Sequence, residues 1–143
     1  MRRSLAITLC LLGAACYDSA DPFASLRIAE VGVDDTFELH VGDRVFIGDA
    51  DLYVRFLEVV SDSRCPSAAH IYCVWQGDGA IAVEMAPLNG DAAIDTLHTS
   101  LEPRASDLGD WVLELLELAP YPEDVGPIPV EQYVATLKLR RAP

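Results

Sequence analysis

The side chains best equipped for chemistry fall in one stretch. Asp62-Ser63-Arg64-Cys65-Pro66 is followed by His70 and then by Cys73-Val74-Trp75-Gln76-Gly77. Thioredoxin-like redox pairs have two intervening residues at a helix start, whereas seven residues separate Cys65 from Cys73 in a turn-rich loop. A zinc site needs further ligands, and the folded region holds no other cysteine. A structural disulfide is the remaining use, and an oxidising compartment would close it. Asp62 can cap the loop backbone and pair with Arg64, and Trp75 can pack on the bridge. These residues then form a staple that sets strand register. A sharper alternative makes Asp62, Arg64 and Trp75 a ligand site. Tyr121, held between Pro120 and Pro122, could be a rigid contact site of its own, although a plain crossover connection between sheets is the preferred reading of that loop. The staple has precedence, because every residue type in it has a sufficient structural reason.

Catalytic alternatives are thinner. A Ser63–His70–Asp62 triad can be drawn, but the Gly-x-Ser-x-Gly nucleophile motif is missing and nearness in sequence does not set triad geometry. A hydrolase or metal-binding enzyme would have to work through His70 or the acidic turns. His40 and His98 each lie between apolar strand neighbours and are expected to face solvent. They could share a metal with an aspartate if their strands were adjacent. Asp43, Asp49 and Asp51 do not follow the EF-hand spacing. Glu114 and Glu117 are three apart and on a regular strand point to opposite faces. The sequence yields no cofactor and no metal site.

The elements that must position these groups read as strands. Phe37, Leu39 and Val41 alternate with Glu38 and His40 before Gly42-Asp43 breaks the run. A second strand covers 44–47. Leu52, Val54, Phe56 and Glu58 alternate with Tyr53, Arg55, Leu57 and Val59, which describes a central strand with apolar groups on both faces. Residues 71–75 read as extended, and Gly77-Asp78-Gly79 as a tight turn. Further strands are expected at 81–85 and, after the hairpin signal Asn89-Gly90-Asp91, at 93–99. Residues 111–118 have helix-forming leucines and glutamates, but their shortness, Gly109-Asp110 before them and Pro120 after them favour a strand. A proline-rich loop and a strand at 132–140 complete the chain. About seven or eight short strands with turn signals between them specify an all-β domain, a single antiparallel β-sandwich or small barrel.

Upstream lies a different kind of sequence. Arg2 and Arg3, an apolar run from Leu5 to Leu12, and Gly13-Ala14-Ala15-Cys16 follow the order of an export signal. The run is shorter than the roughly 20 residues a membrane span needs. Gly13-Ala14-Ala15-Cys16 resembles a bacterial lipoprotein signal, with Gly13 where the pattern usually has leucine; the resemblance implies acylation of Cys16. Ordinary cleavage after Ala15 is the alternative, leaving an odd cysteine count. The organisation that follows is a signal peptide at 1–15, a lipidated tether at 16–33 and a β-sandwich domain at 34–143. By resemblance to lipoprotein sorting in diderm bacteria, Tyr17 after the cysteine, rather than aspartate, would allow transfer to the outer membrane; without the lipid, the protein would be periplasmic or secreted. Removal of residues 1–15 takes two arginines and no acid from a chain of formal net charge −13, deepening it to −15. That charge repels nucleic acid, which binds through basic patches.

Asp62-Ser63-Arg64-Cys65-Pro66 with Cys73-Val74-Trp75-Gln76-Gly77 also resembles the pattern of a family of small bacterial secreted proteins and lipoproteins. The likeness covers roughly residues 37–83, and the loop between the cysteines is longer here. It implies an all-β domain and an envelope location, with no established activity. The functional expectation is a membrane-anchored, non-enzymatic β-domain. Its partners would be the membrane, through the lipid, and an envelope protein or small ligand.

Overall fold

The computed structural model describes residues 31–143; the expected signal peptide, Cys16 and most of the tether lie outside the described residues. Eight strands form two four-stranded antiparallel sheets that face each other as a β-sandwich. The strands are β1 (Thr36–His40), β2 (Arg44–Ile47), β3 (Leu52–Asp62), β4 (Gly79–Pro87), β5 (Ala93–His98), β6 (Ala105–Leu108), β7 (Trp111–Ala119) and β8 (Val134–Arg141). One sheet has the order β2-β3-β4-β5 and the other β1-β8-β7-β6. The two sheets do not merge into a closed barrel among the described residues.

Period-two alternation supplies the core. Leu52, Val54 and Phe56 of β3 face Ile81, Val83 and Met85 of β4 along one inner surface, and Leu113, Leu115, Leu137 and Leu139 of β7 and β8 fill the other. All of these side chains are buried. At about 25 cal/mol per Å² of apolar surface removed from water, this layer is the main force joining the sheets. The described chain begins inside the domain: Val31 and Val33 pack against the core, and the Asp34 N–H donates to the Leu139 carbonyl over 2.8 Å. The end of the segment assigned to the tether thus belongs to the sandwich.

Three bulges decide which side chains face inward. Between β3 and β4 the register slips at Leu57 and again at Val60. An inserted residue reverses the in–out parity of everything beyond it. The first slip sends Glu58 outward and Val59 toward the core, correcting the uninterrupted alternation expected through Glu58. The second turns Asp62 inward, into the space between the sheets. In β7 a slip between Leu115 and Glu117 pairs Glu114 with Lys138 and Glu117 with Thr136. Those partners share one face of β8, so the two glutamates lie on the same outer face, not on opposite ones.

Two segments depart from expectation. Residues 71–75 form no strand; they complete the disulfide loop with Tyr72, Val74 and Trp75 exposed. Residues 105–108, expected as loop, form edge strand β6, where buried Ser106 donates a hydrogen bond to Asp95 of β5 across the open side of the sandwich.

Candidate functional site

The ends of β3, β5 and β7 and the starts of β4 and β8 meet at one pole of the sandwich, and the Asp62–Gly77 segment, His98 and Tyr121 lie there. Arg64 is its centre. Its Nε donates to Asp62 Oδ1 over 2.8 Å and its Nη2 to Asp62 Oδ2 over 2.6 Å, the bidentate fork of an arginine–carboxylate pair. Nη2 also donates to the Pro120 carbonyl at 2.9 Å, and Nη1 to the Leu118 carbonyl. Four of the five guanidinium N–H groups are thereby used. Asp62 ends β3 of one sheet with Arg64 just beyond it, and Leu118 lies in β7 of the other with Pro120 just beyond that strand, so the guanidinium bridges the layers. The Tyr133 hydroxyl adds a second crossing, donating to Asp62 Oδ2 over 3.0 Å. The Tyr121 ring lies over the guanidinium, 5.3 Å from Cζ to the ring centre.

The electrostatics follow from this packing. The side chains of Arg64 and Asp62 are only 5% and 10% exposed. Burial opposes ionisation of Asp62, but the Arg64 bonds and charge, with the Tyr133 hydroxyl, outweigh it and hold the carboxyl below its ordinary range. The same arrangement pushes the Tyr133 phenol up to about 12, through burial and through the neighbouring carboxylate that would face its anion.

Cys65 and Cys73 are bonded, with their Cα atoms 6.0 Å apart. The ladder between β3 and β4 runs on into this loop, as the Ser63 N–H donates to the Asp78 carbonyl and the Cys65 N–H to the Gln76 carbonyl, each over 2.8 Å. Gly77 makes that close approach possible. Its φ is +76°, and a Cβ there would lie 1.9 Å from the Ser63 carbonyl oxygen. No other residue fits. The residues read as a tight turn are therefore the lead-in to β4. The disulfide loop is in turn stitched to the proline-rich loop: the Ser67 and Ala68 N–H groups donate to the Pro122 and Glu123 carbonyls over 2.9 Å.

A second polar cluster, without a signature in the sequence, lies at the same pole. Buried Asp78 meets His98 Nδ1 at 2.6 Å through Oδ2, and Oδ1 accepts from the backbone N–H groups of Ser100 at 2.9 Å and Leu101 at 3.3 Å. Burial again opposes ionisation, and the His98 and backbone bonds overcome it, so the carboxyl is held low. An ionised carboxylate only accepts, so Nδ1 carries the proton and Nε2 is the free position. That is the base-and-orienter half of a hydrolytic triad. Its hydroxyl half is not assembled: Ser63 Oγ donates to the Asp78 carbonyl and Thr99 Oγ1 to Asp78 Oδ1. Nothing in sequence separation signals this pairing, since twenty residues part Asp78 from His98.

The other candidates are dispersed. The Ser63–His70–Asp62 triad does not form; His70 is exposed and stands 3.9 Å from Asp124. His98 is largely covered by its bond to Asp78, and not solvent-facing as expected. His40 lies on edge strand β1 of the opposite sheet from β5, so the two histidines cannot share an ion. Among the described residues no group of three or more His, Cys, Asp or Glu side chains is placed to hold a metal. Of the four ligand-site candidates, Asp62, Arg64 and Tyr121 come together, while Trp75 projects half-exposed from the disulfide loop. Arg64 separates two shallow clefts, of about 240 and 210 Å³. The larger is walled by Asp62, Tyr133 and the 122–128 loop, the smaller by Gln76, Thr99, Glu117 and Tyr121. Comparisons of the chain with protein-family models, curated proteins and solved structures return no match.

Proposed function

We propose that this chain is a lipoprotein of the bacterial envelope, acylated at Cys16 and sorted to the outer membrane, whose β-sandwich is a non-enzymatic binding domain. The observation that carries the reading is how the pole spends its polar groups. Arg64 and Asp62 satisfy one another and the carbonyls of the facing sheet, Tyr133 seals them, and Asp78 fixes His98. These groups hold two loops rigidly, and the loops present Tyr72, Trp75 and Tyr121 outward. A rigid scaffold carrying exposed aromatic loops is a recognition architecture. The Cys65–Cys73 bond supports an oxidising compartment, and the order of residues 1–16 supports export and the lipid. Mass spectrometry of the mature N-terminus tests the anchor: a diacylglyceryl-modified Cys16 is expected, and Cys16→Ala should release the protein from membranes. An unmodified Cys16 in membrane-extracted material would overturn it.

A further inference from the structure

The Asp62–Arg64 bridge between the sheets, an inter-sheet latch, accounts for the buried half of the pole; the exposed half has a separate character. Tyr72 is 91% exposed, Val74 fully so, Trp75 half, and Val125 on the facing loop 77%. These side chains stand on two loops that backbone hydrogen bonds and the disulfide hold together. Four large apolar side chains left in solvent on two adjoining loops are the material of an interaction surface, and Trp and Tyr are the side chains that most often dominate binding energy. Folding gives them no use, because the core closes without them.

Charge selects the occupant. Residues 65–77 and 119–133 contain no lysine or arginine. They contain Glu123, Asp124 and Glu131, all exposed, and Glu117 stands beside Tyr121 at the smaller cleft. Among the described residues Glu117, Glu123 and Glu131 have no ion-pair partner, and Asp124 faces only His70. Arg64, at the base of these loops, is neutralised by Asp62. Exposed apolar side chains on loops that carry carboxylates and no lysine or arginine oppose a second copy of this acidic chain, and they oppose an anionic leaflet, whose potential attracts basic and repels acidic segments. They match a protein face with lysine or arginine around an apolar pocket. We infer that the tip formed by the disulfide loop and the proline-rich loop docks a basic protein surface of the envelope, with Tyr72 and Trp75 as apolar anchors and Glu123, Asp124 and Glu131 as the charged rim. This deepens the binding reading given above and rests on it.

The test places a photo-crosslinking benzoylphenylalanine in the full chain in its host, at Tyr72 or Tyr121 on the tip and at Asp91 or Asp110 on the opposite pole. Both tip positions should give an adduct with one and the same protein, at least several-fold above the opposite pole. In washed envelopes the yield should fall several-fold at high salt and in Glu123→Lys/Asp124→Lys, while the adducted peptide of the partner should be rich in lysine or arginine. Adducts equal at both poles, no adduct, an acidic or salt-indifferent partner, a dimer of this chain, or a phospholipid adduct would each overturn the inference. Co-sedimentation of the purified chain with vesicles of phosphatidylethanolamine and phosphatidylglycerol repeats the membrane arm, and binding to them counts against it. The Cys16 modification is measured on the same material. An acylated chain without tip adducts refutes this inference alone, and tip adducts on an unacylated chain refute the anchor alone.

Discussion

Replacing Arg64 by methionine removes the hub of the pole while keeping much of its volume. Asp62 would then be buried beside the Tyr133 hydroxyl and the Arg64 backbone N–H, with no countercharge. The Leu118 and Pro120 carbonyls would also lose a charged donor. Because both side chains are almost fully covered, solvent screening does not soften the loss. Breaking a buried pair from one side typically costs about 3–5 kcal/mol. For a domain of this size that corresponds to a fall in Tm on the order of 10–25 °C. Urea unfolding followed by tryptophan fluorescence gives the free energy directly, and an unchanged m-value would certify that the native fold is retained. Asp62→Asn/Arg64→Met should lose less than the two single changes combined, by roughly 1–3 kcal/mol, since the double variant buries no orphan charge. Arg64→Lys should recover only part of the loss, because an ammonium cannot span a carboxylate and two carbonyls as the planar fork does. A loss below about 1 kcal/mol in Arg64→Met, or strict additivity in the double variant, would refute the inter-sheet latch.

Gly77→Ala should abolish folding or cost more than about 4 kcal/mol, whereas Gly42→Ala, at φ +91° with nothing within 4 Å, should cost only the backbone strain of about 1–3 kcal/mol; equal losses in the two would contradict the close approach of Gly77 to Ser63. Cys65→Ala/Cys73→Ala should lower stability by about 2.5 kcal/mol, from the entropy of freeing a short loop, with the same loss when the wild type is unfolded under reducing conditions. Asp62 and Asp78 titrate lower in the folded domain than in the unfolded chain, so their contribution is complete above the ordinary aspartate value of about 3.9 and drains away as pH falls through the folded values. Asp78→Asn should therefore flatten the acid limb of a stability–pH profile. Tyr133 has the opposite sign: its contribution is complete below pH 10.0 and is lost as pH rises toward about 12. Tyr133→Phe should flatten that alkaline limb and remove a late phenolate transition from the ultraviolet titration.

The sequence announces the sandwich and hides the aim of its side chains, and both facts have one cause. Alternation in residues 37–41 and 52–56 and the turn at Asn89-Gly90 are local signals, and the strands and hairpin they specify are present. The Asp62–Arg64 pair was legible for the same reason, being two residues apart, as was the short Cys65–Cys73 loop. A bulge has no such signature. Where both faces of a strand are apolar, as around Leu57 and Val59, one parity reads as well as the other, and only the partner strand decides it. Residues 71–75 misled because Ile71, Tyr72, Val74 and Trp75 are strand formers by type, yet Cys73 ties the segment into a loop that offers it no ladder. Strand β6 escaped notice because Ser106 is polar; it is buried through a bond to Asp95 that only tertiary structure provides.

These two kinds of omission converge on the pole. The slip at Val60 is what turns Asp62 toward Tyr133, and the slip at Leu116 keeps Leu118 inward with its carbonyl on Arg64. Had either strand run without its extra residue, Asp62 would face solvent or Leu118 would leave the core, and the guanidinium could not join the sheets. The motif Asp-Ser-Arg-Cys-Pro thus acquires its meaning from two irregularities lying in other segments. A strand-by-strand reading finds the residues of the latch but not its purpose. That purpose, in turn, is why Trp75 stands apart from Asp62 and Arg64. The pair is occupied in holding the loop, and the loop is then free to hold the tryptophan outward.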